Sequence, residues 1–189
     1  MKQARFGRVQ DLFDAFPAAR HDVGETESHT PSVDFLEGLV ERRNWEPAIS
    51  FCAYLLPRRD AVAWGCRSLR QMSSRLDVDQ QRAIAYAEEW TEEPVEWRRN
   101  RALALGNRND RRSAATWLAL AAGWSGGSVM PPELDHREPP PHQTARAVRV
   151  ALFIGLSRLA RDTRDRIMMP CLRDGLQAAR GERARREVV

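Results

Sequence analysis

The residues best equipped for chemistry lie in one stretch, 114–146. An apolar helical pattern there breaks at Ser125-Gly126-Gly127-Ser128 and passes five prolines before a helical pattern resumes near His142. The stretch holds two of the four histidines, His136 and His142, and the acids Glu133, Asp135 and Glu138. Each combination suggests a chemistry. Backbone N–H groups around Gly126-Gly127 could cradle an anion, but a phosphate loop needs a preceding strand and a nearby lysine. Here a helical pattern precedes, and the only lysine is Lys2. The reading that follows is that Gly126 or Gly127 adopts a left-handed conformation and ends the helix. The histidines and acids match no zinc-ligand spacing and no cysteine pair joins them, so neither a metal nor a cofactor is expected. Ser125 and Ser128 lack the G-x-S-x-G setting of an activated nucleophile. A hydrolase using Ser125 or His142 would need both beside a carboxylate.

Charge supplies a second candidate. The chain has 30 basic residues, all but one of them arginine, and a net charge of +4. Residues 77–96 carry seven acids against Arg82, whereas 97–112 carry six arginines, Arg98, Arg99, Arg101, Arg108, Arg111 and Arg112, against Asp110. Arginine suits phosphate contacts, so those six define a nucleic-acid-binding alternative. The alternation itself reads first as helix faces pairing with one another. Arg146 stands at the start of a helical pattern, where the dipole disfavours a cation. It is expected to pair with Glu133, Asp135 or Glu138, or with a partner's carboxylate.

These residues must be positioned by helices. No segment shows strand-like alternation, and apolar residues recur at helical spacing throughout. Phe6, Val9, Leu12, Phe13 and Phe16 form one stripe on a short helix over 3–16, ended by Pro17 and a polar stretch running to Pro31. Ser32 is read as capping the next helix. Further helices are expected over 45–56, 58–76, from Asp77 or Asp79 to about 91, over 95–105 with Gly106 as the stop, from Asp110 or Ser113 to 124, over 144–161, and over 164–180. Pro170 should bend or divide the last. The expected fold is all-α: a single-domain antiparallel helical bundle of about seven to nine helices with one long Gly/Pro-rich loop. Residues 1–31 form an amphipathic helix and polar linker, and 32–189 the helical domain. Trp64, Leu118, Ala121, Val148 and Leu152 are expected in the core.

Cys52, Cys66 and Cys171 are widely spaced, odd in number and set in apolar patterns, which points to free buried thiols and a reducing cytoplasm. No apolar run approaches the ~20 residues of a membrane span, and no signal peptide follows the N-terminal basic residues. Six tryptophans read mainly as core anchors, with one or two near the long loop as exposed binding anchors.

DLFDAFP, AYLLPRRDAVAWGCR, TWLALAAGWSGGS and PPPHQTARAV, in this order, resemble a bacterial family of uncharacterised helical proteins classed as a domain of unknown function. The resemblance implies Trp117, Trp124, Ser125, Gly126, Gly127, His142, Thr144 and Arg146 as signature positions. This chain departs from it at MPPELDHRE, which is more charged than the hydrophobic-proline loop of the family. Members look like accessory proteins encoded beside type VI-like secretion components. The resemblance implies a cytoplasmic, non-enzymatic adaptor or chaperone-like module whose partner is a secretion component or effector. Its expected interaction residues are Trp124, Ser125, Gly126, Gly127, His142, Thr144 and Arg146. The loop 124–146 should fold back over the domain and form one face of a groove, with the N-terminal stripe nearby.

Overall fold

The first two helices are α1 (Val9–Ala15) and α2 (Pro17–Val23) in a computed structural model that describes residues 5–24, 29–73, 75–128 and 137–181. The first helix ends just before Pro17, as expected, and Pro17 then opens the second from its first turn, where a missing N–H costs nothing. α2 thus occupies sequence that reads as polar linker. It raises the helix number to ten among the described residues, against the seven to nine expected. The N-terminal segment is pinned to the start of α3 (Ser32–Glu41) by Val9 N–H to Thr30 O at 3.1 Å and Ser32 N–H to Gly7 O at 3.0 Å. Ser32 does not cap α3. Its hydroxyl is buried without a partner, and Pro31 holds the cap position.

The remaining helices are α4 (Trp45–Leu55), α5 (Arg58–Met72), α6 (Val78–Glu92), α7 (Glu96–Arg108), α8 (Ala114–Gly123), α9 (Gln143–Ser157) and α10 (Arg161–Ala179). Asp77 caps α6, its Oδ1 accepting from Gln80 N–H at 2.8 Å while Asp77 N–H donates to Gln80 Oε1 at 3.2 Å, a reciprocal box that satisfies two otherwise orphaned donors. Gly106 does not stop α7, which runs on to Arg108. Pro170 lies inside α10 without dividing it.

α8 is the centre. Every residue in it except Trp117 is buried, as expected for a helix apolar all round. It packs against α5, α6, α7 and α9, while α9 also meets α4 and α5, and α10 meets α3, α4 and α5. α6 and α7 therefore cover one side of α8, and α3, α4 and α10 lie on the other side beyond α5 and α9. α1 packs on α2, and α2 on α4. Trp64, Leu118, Ala121, Val148 and Leu152 are all fully buried. Trp64 also donates its indole N–H to Cys171 O at 2.8 Å, which lets a large ring enter the core without an orphaned polar atom. Cys52, Cys66 and Cys171 are free and buried.

Candidate functional site

The loop after α8 is held by side chains from three helices. Arg99 of α7 is almost fully buried (4% exposed) and donates through Nη1 to Gly123 O at 2.6 Å and through Nη2 to Ser128 O at 2.9 Å. The same guanidinium donates through Nε to Glu96 Oε2 at 2.8 Å, so its burial is compensated by a carboxylate and two carbonyls. Arg58, at the start of α5, donates to Ser125 O at 2.8 Å, and Thr144 Oγ1 of α9 donates to Trp124 O at 3.0 Å. Backbone carbonyls that a helix end leaves without partners are thus bound one by one. Gly127 has φ 58°, and a Cβ there would lie 2.7 Å from Arg99 Nη2. Only glycine permits both the left-handed backbone and the guanidinium against it. Gly126 has open space around it and no such backbone. The second arm of the loop returns to the first where Arg137 N–H donates to Ser128 Oγ at 3.2 Å.

A polar cluster lies between α2, α4 and α9. Tyr54 donates to Asp22 Oδ2 at 2.6 Å, Arg146 Nε donates to the same oxygen at 3.0 Å, and Arg149 Nη1 lies 3.4 Å from Oδ1. Arg149 also donates to Ser50 Oγ at 2.8 Å. The Asp22 side chain is 9% exposed. Burial pushes its pKa up, but the hydrogen bonds from Tyr54 and Arg146 and the charge of Arg149 outweigh that and hold it below 3.8. His142, at the cap position of α9, is lowered below 6.5 by burial first and by the Arg146 charge second.

Arg146 pairs with Asp22, 124 positions away, a carboxylate outside the loop acids expected for it. Glu133 and Asp135, with His136, fall outside the described residues. Sequence reasoning also missed Tyr54, Arg149 and Arg58. A usable signal existed for Tyr54, one of two tyrosines: a phenol inside an apolar helix needs a hydrogen-bond partner when buried.

The N-terminal stripe and the second arm of the loop do meet. A small cavity of about 10 Å³ is lined by Arg5, Phe16, Tyr54, Arg58, Pro141 and Thr144 among others. Beyond it, Trp117 and Trp124 stack edge-on with centroids 6.2 Å apart, Arg111 lies 5.5 Å from the Trp117 ring and 5.9 Å from that of Trp124, and Trp117 Nε1 donates to Arg111 O at 2.7 Å.

The arginines of 97–112 divide. Arg99 is buried as described. Arg98 donates to Glu89 O at 2.7 Å and pairs with Glu93 at 2.8 Å, and Arg101 pairs with Glu89. The acids of α6 thus face the first turns of α7. Trp97, beside them, is 57% exposed. Ser125 Oγ donates to Ala122 O at 2.5 Å. Among the described residues no cluster of three His, Cys, Asp or Glu side chains could hold a metal ion, and no helix is long and apolar enough to cross a membrane.

An all-helical domain with a braced glycine loop and an inward-facing arginine cluster is the class these features define. Residues 35–179 match the family of unknown function DUF6931, and the chain belongs to that family. Neither a curated protein nor a solved structure matches it.

Proposed function

We propose that this protein is a non-enzymatic protein-interaction module, an adaptor or chaperone-like accessory factor of a bacterial, type VI-like secretion system acting in the cytoplasm. The observation that carries the reading is the direction of the signature's polar groups. Thr144, Arg146 and Ser125 bond within the fold, to Trp124 O, Asp22 and Ala122 O. A group whose proton is held by a backbone carbonyl is poorly placed for nucleophilic chemistry, which weighs against a hydrolase built on Ser125 or His142. Bonds of this kind fix a loop rigidly for display, and preorganised surfaces bind with less ordering cost. The partly buried Trp117–Trp124 pair with Arg111 is the sort of aromatic and arginine surface enriched at binding hot spots. The secretion context comes from the family resemblance. Co-expression with each component of such an apparatus, followed by affinity purification, should recover one stoichiometric partner. Recovery of none, with the bait folded, would remove the secretion assignment.

A further inference from the structure

Arg5 and Arg58 line the same cavity, and neither has a carboxylate partner among the described residues. Arg5 rests on aromatic rings instead, its guanidinium carbon 4.9 Å from the centroid of Phe6 and 5.3 Å from that of Phe16. Arg58 commits Nη1 to Ser125 O at 2.8 Å, which leaves most of its five N–H donors for other acceptors. The two charges repel, an arrangement that an anion between them would relieve. Asp22, which accepts from the cavity-lining Tyr54, is already held by Tyr54, Arg146 and Arg149. Among the described residues no acid lines the cavity, whose remaining walls include Phe16, Ala53, Ala61 and Pro141.

We propose that the mouth of this cavity binds a carboxylate of a partner polypeptide, gripped between Arg5 and Arg58. The inference rests on the reading of this face as a partner-binding surface and supplies the chemistry of what it binds. The space, about 10 Å³, is on the scale of one water molecule, so at most one carboxylate oxygen enters it while the carboxyl carbon and its stem stay at the opening. Planar guanidinium groups match a carboxylate in pairs of parallel hydrogen bonds. Phe16 and Pro141 offer apolar contact to the carbon stem that carries it.

The test is isothermal titration calorimetry of the full chain at low salt with short peptides of one length. One is glutamate-rich with an amidated end, one glutamine-rich with a free C-terminal carboxylate, and one glutamine-rich and amidated. Binding of the first alone assigns an acidic side chain, and binding of the second alone assigns a C-terminus. The third should not bind. Arg5→Gln should weaken the bound peptide about tenfold or more, the effect of removing one charge-assisted hydrogen bond, with an unchanged melting temperature. Arg58→Gln should do the same but also loosens Ser125, so Arg5→Gln decides the matter if that variant fails to fold. Arg108→Gln should leave binding unchanged. The proposal is overturned if no carboxylate peptide binds, if Arg5→Gln binds normally, or if Arg108→Gln weakens binding as much. It is equally overturned if inorganic phosphate displaces the peptide at matching concentrations. The titration needs no secretion component, so its failure and the failure of the co-expression experiment are separable.

Discussion

Gly127 and Gly126 are neighbours of the same residue type in different physical situations. At Gly127 an alanine would combine a left-handed backbone with a Cβ 2.7 Å from Arg99 Nη2. Gly127→Ala should destabilise by about 1–3 kcal/mol, while Gly126→Ala, with nothing within 4 Å, should stay within about 0.5 kcal/mol of wild type. Urea unfolding of both proteins checks the difference. Asp22 makes a pH prediction. Its folded pKa lies below 3.8, so the folded chain binds fewer protons there than the unfolded one. Its contribution is therefore complete above that value and lost as pH falls through the folded pKa. Asp22→Asn should cost about 2 kcal/mol near neutrality, a figure discounted for the exposed side of Arg146. The gap between variant and wild type should close in strong acid. A gap that stays constant down to the acid limb would show that the carboxylate charge contributes nothing there.

At the scale of helices, α7 and α8 approach through two glycines. A Cβ at Gly106 would lie 2.7 Å from Cγ of Leu120, whereas one at Gly123 would lie 2.7 Å from Leu103 Cβ and 2.8 Å from its Cα. A leucine side chain can rotate away; a Cα cannot move without its helix. Gly123→Ala should therefore cost more than Gly106→Ala, with both inside the roughly 1–3 kcal/mol of overpacked sites. The order of their thermal midpoints tests this, and the reverse order would mean that α8 shifts more freely than its burial implies. The same packing explains why α7 runs past Gly106: a glycine inside a helix loses entropy but admits close contact, and here the contact with Leu120 is what is gained. α2 is tied down in another way. Its Val23 and Ala19 are buried, and Asp22 on the same helix meets Tyr54 of α4 and Arg146 of α9.

For the whole molecule, the arginine-rich segment is less available than its composition suggests. With Arg98 and Arg101 paired to α6 acids and Arg99 buried, Arg108, Arg111 and Arg112 are the members left to meet a phosphate backbone. Three contacts would give a salt dependence with a log–log slope of about −3. Gel retardation of DNA or RNA should accordingly be weak at low salt and absent near physiological salt. A slope near −6, or retention at high salt, would restore the nucleic-acid reading and require the α6–α7 ion pairs to open.

Periodicity alone makes this chain helical, because apolar residues three and four apart can share a face only on a helix, and the buried set from Trp64 to Leu152 was legible on that ground. So was the left-handed turn at Gly126-Gly127, since a glycine past an apolar run answers an unsatisfied helix end. Other features depended on residues distant in sequence. Whether Gly106 ends a helix or lies within one is decided by Leu120 opposite it, and Pro17 begins a helix because α4 offers α2 a surface to bury against. Arg146 could be assigned a carboxylate from the sequence, but not which one: local acids and Asp22 are equally charged, and only the packing of α2 and α9 on α4 brings Asp22 within 3.0 Å. The site was legible in residue type and illegible in pairing, because side-chain chemistry is local to a residue while the partners of a buried charge are set by how helices meet.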